Sequence, residues 1–163
     1  MGVDTRRAAR WLLGVGAAAV AVLVTGTGPA AADATYHTER LPFAAVGGAP
    51  LQAGAVVNAH ANGPNVYAHE QYTLVGAQPA TAYQVLLLVD VASPTCATAT
   101  PALTLPTKVL TTNAAGNGTA SAVFTPADAA GLRGLTVGGR WQVTLATGGP
   151  VLYQTACTAI TLD

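Results

Sequence analysis

Three histidines, two cysteines and a few carboxylates carry the chemistry this chain could do: His37, His60 and His69, Cys96 and Cys157, and Glu39, Glu70, Asp90 and Asp128. His60 and His69 fall in adjacent predicted strands joined by the turn Asn62-Gly63-Pro64-Asn65. Side by side across a hairpin they could bind a metal, with Glu70 or His37 as a further ligand. Strand alternation instead groups His60 with Asn58, and His69 with Gln71 and Thr73, on polar, solvated faces. No metal and no cofactor is therefore expected, and His60, His69 and Glu70 are the residues that would hold a metal if there were one. Glu70 is the odd member. Its parity sets it with Val66, Ala68, Tyr72 and Leu74 on the apolar face. A carboxylate buried there needs a partner such as an arginine, or a raised pKa. The plainer expectation is a bulged or short strand that leaves Glu70 at the rim.

For catalysis the inventory is thin, and no catalytic residue is expected. After the leader the only serines are Ser93 and Ser121, and neither lies in a Gly-x-Ser-x-Gly elbow. No Gly-rich loop opens a long helix, so a nucleotide cradle is not indicated. Glu39, Glu70, Asp90 and Asp128 could in principle pair for glycoside hydrolysis, but no spacing brings two of them together. Asn117-Gly118-Thr119 fits a glycosylation acceptor and reads here as turn chemistry. Tyr36, Tyr67, Tyr72 and Tyr153 could give a recognition surface at low entropic cost, although Tyr72 and Tyr153 suit a core or rim.

The first residues address the chain. Arg6, Arg7 and Arg10 precede the apolar run Trp11 to Val24, and Ala30-Ala31-Ala32 follows. That is the order of a secretory signal peptide, with cleavage expected after Ala32 or Ala34. The run is shorter than the roughly 20 residues a spanning helix needs, so no membrane association is expected after cleavage. Residues 1–32 are assigned to the signal and residues 33–163 to one domain. Thr5-Arg6-Arg7 invites a twin-arginine reading, but Ala8-Ala9-Arg10 lacks the bulky apolar residues that usually follow. Without the leader, four basic residues stand against six acidic ones, a net charge of −2 with histidine neutral. No basic cluster exists, which argues against nucleic acid as a partner. The low charge also argues against disorder.

Two cysteines in an exported chain read as one disulfide, Cys96 to Cys157. The loop it closes has about 60 residues, worth about 4 kcal/mol of chain entropy.

The elements that must position these groups are short strands with Gly and Pro punctuation. They are expected over 41–46, 55–61, 66–75, 83–91, 105–112, 119–125, 140–147 and 151–162. Tyr83 to Val91 is apolar on both faces and reads as central. Pro106 pushes its strand to an edge. Thr125-Pro126-Ala127-Asp128 carries the start signals of one short helix. The fold class is all-β, an antiparallel immunoglobulin-like sandwich of roughly seven or eight strands.

The segment Ala77-Gln78-Pro79-Ala80-Thr81-Ala82-Tyr83-Gln84-Val85 resembles the tyrosine corner of fibronectin type III and related immunoglobulin-like domains, Leu-x-Pro-x-Thr-x-Tyr-x-Val. Ala77 replaces the leucine. The resemblance implies a buried Tyr83 whose hydroxyl ties back to loop backbone. More strands follow Tyr83 than in a fibronectin domain, and no Trp follows Cys96 at short range. The Ala, Gly, Thr, Val and Pro usage resembles that of secreted actinobacterial proteins. The expected function is a secreted, non-catalytic module binding a protein or glycan at the cell envelope. The alternatives are a small extracellular metal protein or enzyme using His60 and His69, and an inhibitor of an extracellular hydrolase presenting a loop such as Ser93 to Pro106.

Overall fold

The computed structural model describes residues 37–60, 68–98, 101, 103–125, 127–128, 130–132 and 134–161. Residues 1–32, expected to be a signal peptide, lie outside the described residues, as do Tyr36, Tyr67 and the turn expected at residues 62–65. The strands are β1 (His37–Pro42), β2 (Ala44–Ala45), β3 (Ala53–His60), β4 (Ala68–Val75), β5 (Ala82–Asp90), β6 (Leu103–Thr111), β7 (Gly118–Phe124), β8 (Thr136–Leu145), β9 (Tyr153–Gln154) and β10 (Thr158–Thr161). They form two antiparallel sheets in a sandwich-like arrangement. One has the order β1-β3-β4-β7; the other runs β2-β9-β8-β5-β6, with β10 also pairing with β8.

Alternation decides which side chains enter the core. On β5, Tyr83, Val85, Leu87 and Val89 point inward. They meet Val56 of β3, Tyr72 and Leu74 of β4, and Trp141 and Val143 of β8. Leu86 and Leu88, on the outer side of β5, are only half-buried. β5 is central, between β8 and β6, and β6 is the edge strand. The register slips between Val85 and Leu86, so Thr107 bulges out beside Pro106. Pro106 has no N–H to donate, and an outermost strand tolerates that loss.

The first strand switches sheets. β1 pairs with β3, Phe43 donates its N–H to the Gly54 carbonyl at 2.9 Å, and β2 then pairs with β9 in the other sheet. The last predicted strand is broken in two. Thr155 donates its N–H to the Trp141 carbonyl and accepts from the Trp141 N–H through Oγ1, so a side chain takes one place in the ladder.

The short helix expected from Thr125 does not form among the described residues. Its start signal closes a turn instead: Asp128 Oδ2 accepts from the Thr125 N–H at 2.7 Å and from Thr125 Oγ1 at 2.8 Å. Capping groups alone do not sustain a helix; an apolar stripe to bury must follow, and here the sequence continues Ala129-Ala130-Gly131.

Candidate functional site

Glu70 sits at the centre of the sandwich, not at its rim. It is 1 % exposed. Its strand is regular, so the parity argument holds and the carboxyl enters the core with Ala68, Tyr72 and Leu74. The partner is not an arginine. The Tyr72 hydroxyl, two residues on along β4, donates to Glu70 Oε2. Trp141 Nε1–H, from β8 in the opposite sheet, donates to the same oxygen at 2.8 Å. Burial pushes the Glu70 carboxyl up to about 7, and the hydrogen bonds from Tyr72 and Trp141 offset part of that rise. Burial and the neighbouring Glu70 carboxyl push the Tyr72 phenol well above its usual range. The two donors occupy the lone pairs of Oε2, so the proton of the acid form is best carried on Oε1.

Asn58 lies opposite Glu70 in the β3–β4 register. It is 2 % exposed, and its Nδ2 is 2.8 Å from His60 Nε2. Asn58 Oδ1 is buried with no hydrogen-bond partner. That is an expensive state for an amide oxygen. Asn58 and His60 therefore face inward with Val56, where sequence alternation had set them on a polar outer face.

Two cavities meet at these residues. An outer cleft of about 450 Å³ is bordered by Thr38 and Glu39 of β1 and by Ala159 and Thr161 of β10. An inner chamber of about 50 Å³ lies among Glu70, Leu87, Val89, Phe124 and Val137. Asn58, His60 and Ile160 line both, so the cleft and the chamber adjoin at these residues. Thr158 Oγ1 donates to the Glu39 carboxylate at 2.9 Å and ties β10 to β1 beside the cleft.

No protein-family model, no curated protein and no solved structure matches the chain.

His60 and His69 do not converge. The register sets His60 opposite Ala68 and His69 opposite Ala59, one position apart, and side-chain alternation sends them to opposite faces. His60 lines the cleft, whereas His69 is exposed. The β1 backbone sets His37 opposite His60. Among the described residues no three His, Cys, Asp or Glu side chains gather as a metal site. The four carboxylates are dispersed in role. Glu39 borders the cleft, Glu70 and Asp128 both line the chamber, Asp128 while capping its turn, and Asp90 organises a loop.

That loop contains Cys96. Asp90 Oδ1 accepts from the Ala92 and Ser93 N–H groups, and Oδ2 accepts from the Thr98 N–H. Burial opposes the charge, but these hydrogen bonds, led by that to Thr98, outweigh it and hold the Asp90 carboxyl below its ordinary value. The folded loop presents Cys96 to Cys157, and the two form a disulfide with Cα atoms 6.0 Å apart. Gly138 lies beneath it; a Cβ there would meet the Ser93 carbonyl oxygen and stand 3.0 Å from Cys96 Sγ.

At the opposite end Tyr83 is fully buried, and its hydroxyl accepts from the Gln78 N–H at 3.1 Å. Thr112 Oγ1 donates to the Gln78 carbonyl and accepts from the Thr81 N–H, which fixes the same loop. Tyr153 is also buried; its hydroxyl lies 3.4 Å from that of Tyr83 and donates to the Pro50 carbonyl. Ser93 Oγ accepts from two backbone N–H groups of its own loop, and Ser121 lies exposed on β7.

Proposed function

We propose that the chain is exported and works as a non-catalytic binding module of immunoglobulin-like type, taking a protein or glycan at or near the cell envelope. The leader-like N-terminus and the disulfide support export, since such bonds persist in oxidising compartments. The observation that carries the binding reading is the buried amide of Asn58, a residue that lines an open cleft and whose side-chain oxygen is unpaired. A group placed there would complete a hydrogen bond that the free protein lacks.

Two features favour binding over catalysis. The Glu70 carboxyl is engaged on Oε2 by Tyr72 and Trp141, and its chamber is too small for a sugar ring or a peptide. His60 and His69 point to opposite faces, which weakens a metal-centred alternative. The Ser93 loop is held by Asp90 and by the disulfide, and its Ser93 side chain is turned to its own backbone.

The test is fractionation and recapture. The protein should be found outside the cell, and the purified oxidised protein should sediment with isolated cell envelopes in a saturable way. A cell-internal protein, or one that leaves envelopes unoccupied at every concentration, would overturn this reading.

A further inference from the structure

We infer that the cleft recognises an N-acetylated sugar, with the acetamido group seated at Asn58, where the cleft and the chamber adjoin. This rests on the binding-module reading above and names the ligand class of the same site.

Three properties of the site select that group. The outer cleft is of a size to admit a sugar ring, and Thr38, Thr161 and the Glu39 carboxylate lie along its border, polar partners for ring hydroxyls. Where the two cavities adjoin, Asn58 holds an amide with an unpaired end. The ligand's acetamido N–H donates to Asn58 Oδ1, the buried oxygen without a partner. An acetamido group also carries a carbonyl, so it satisfies the Asn58 side chain whichever way that amide is turned. The inner chamber is lined by Leu87, Val89, Phe124 and Val137, with Glu70 and Asp128 also on its wall, and its volume of about 50 Å³ admits a methyl group but not a sugar ring. A plain hydroxyl in place of the acetamido group would leave the chamber empty. A free amine lacks the acetyl carbonyl and methyl that the Asn58 side chain and the chamber would take.

The same acetamido chemistry occurs on acetylated lysine side chains. The polar border of the outer cleft, with the Glu39 carboxylate on it, favours the sugar, because a lysine stem offers it nothing to bond.

The experiment is calorimetric titration of the purified, oxidised protein with N,N′-diacetylchitobiose, alongside cellobiose, the fully de-N-acetylated disaccharide and N-acetyl-lysine amide. The expected result is saturable binding of the diacetylated sugar and about tenfold or greater weakening for each of the others: cellobiose and the de-N-acetylated disaccharide leave the Asn58 bond unmet, and N-acetyl-lysine amide leaves the polar border of the cleft unmet. Two variants locate the site. Asn58→Leu removes the amide at similar volume, and Ala68→Val narrows the chamber from the β4 side, where Ala68 forms part of its wall. Each should abolish diacetylchitobiose binding, with folding checked by the near-ultraviolet signal of Trp141. Equal binding of cellobiose, equal binding of N-acetyl-lysine amide, or full binding by both folded variants would overturn the inference. So would the absence of any binding to the diacetylated sugar, and in that case saturable binding to envelopes would still stand as the separate evidence for a binding module. If one variant fails to fold, the other decides the location.

Discussion

Trp141 reaches across the sandwich to Glu70: its Nε1–H donates to Oε2 at 2.8 Å, and the two residues belong to different sheets. The hydrogen bond is fully enclosed, with both side chains buried. A buried carboxyl that accepts from an indole and from the Tyr72 hydroxyl fixes how the two sheets lie over one another in a way that apolar packing alone does not.

The first prediction concerns pH. Glu70 holds its proton in the folded protein up to about 7, while the unfolded chain releases it near 4.5. Between those values the native state binds more protons than the unfolded state, so stability falls as pH rises. The contribution of Glu70 is fully present below pH 4.5 and is lost through pH 7, a loss of about 3 kcal/mol. Asp90 and Asp128, whose values are lowered, act in the opposite direction, losing stability as pH falls through their own range. Comparing wild type with Glu70→Gln isolates the term. Urea midpoints should converge at pH 4 and diverge by pH 8, with the Gln variant the more stable. Parallel curves across that range would refute the buried acid.

Removing the indole donor should have two separable effects. Trp141→Phe is expected to cost about 2 kcal/mol or more, from the lost hydrogen bond and the space left by the smaller ring. It should also raise the Glu70 titration midpoint further, because one of the two donors that lower it is gone. Carboxyl-carbon NMR of Glu70 reads the second effect independently of stability. A midpoint that stays in place would mean that the indole does not bond the carboxyl.

How much of this was legible beforehand depends on where each partner lies. Strand parity set Glu70 on the apolar face of β4, and the structure keeps it there. Its Trp141 partner is 71 residues away and no local pattern points to it, so a bulge and an exposed rim looked the simpler outcome. On β3 the inward face was misread. Ala55, Val57 and Ala59 look like an apolar row, but alanine buries little area and weighs little in the choice of face. Val56, fully buried, carries Asn58 and His60 inward with it. The sandwich class, the central β5, the edge position of Pro106 and the disulfide rest on signals that act locally or by exclusion, and they were readable. The Thr125 to Asp128 capping pattern was also real as local chemistry, but it closes a turn because no amphipathic stripe follows it. The break in the last strand depends on the Thr155 side chain replacing a ladder hydrogen bond to Trp141, a tertiary event with no sequence signature.

Tyr83 anchors the loop from Gln78 to Thr81 through its hydroxyl. Tyr83→Phe removes that acceptor and leaves the Gln78 N–H without its bond, which should cost about 1 kcal/mol or more. The effect should appear in the denaturation midpoint and as faster amide exchange at Gln78. An unchanged midpoint with unchanged exchange would show that the corner carries no load.

The disulfide and the glycine under it can be tested together. Thiol labelling of the denatured, unreduced protein should find no free cysteine, and reduction should cost about 4 kcal/mol by releasing the loop it closes. Gly138→Ala attacks the same junction without touching sulfur. Its Cβ would press on the Ser93 carbonyl oxygen, part of a backbone held by Asp90, and on Cys96 Sγ. Backbone cannot rotate away as a flexible side chain could, so overpacking of about 1–3 kcal/mol is expected in the oxidised protein. After reduction the loop is free to lift, and the penalty should shrink. If Gly138→Ala destabilises the reduced protein as much as the oxidised one, the strain arises elsewhere in β8 and the disulfide does not hold the loop against that strand.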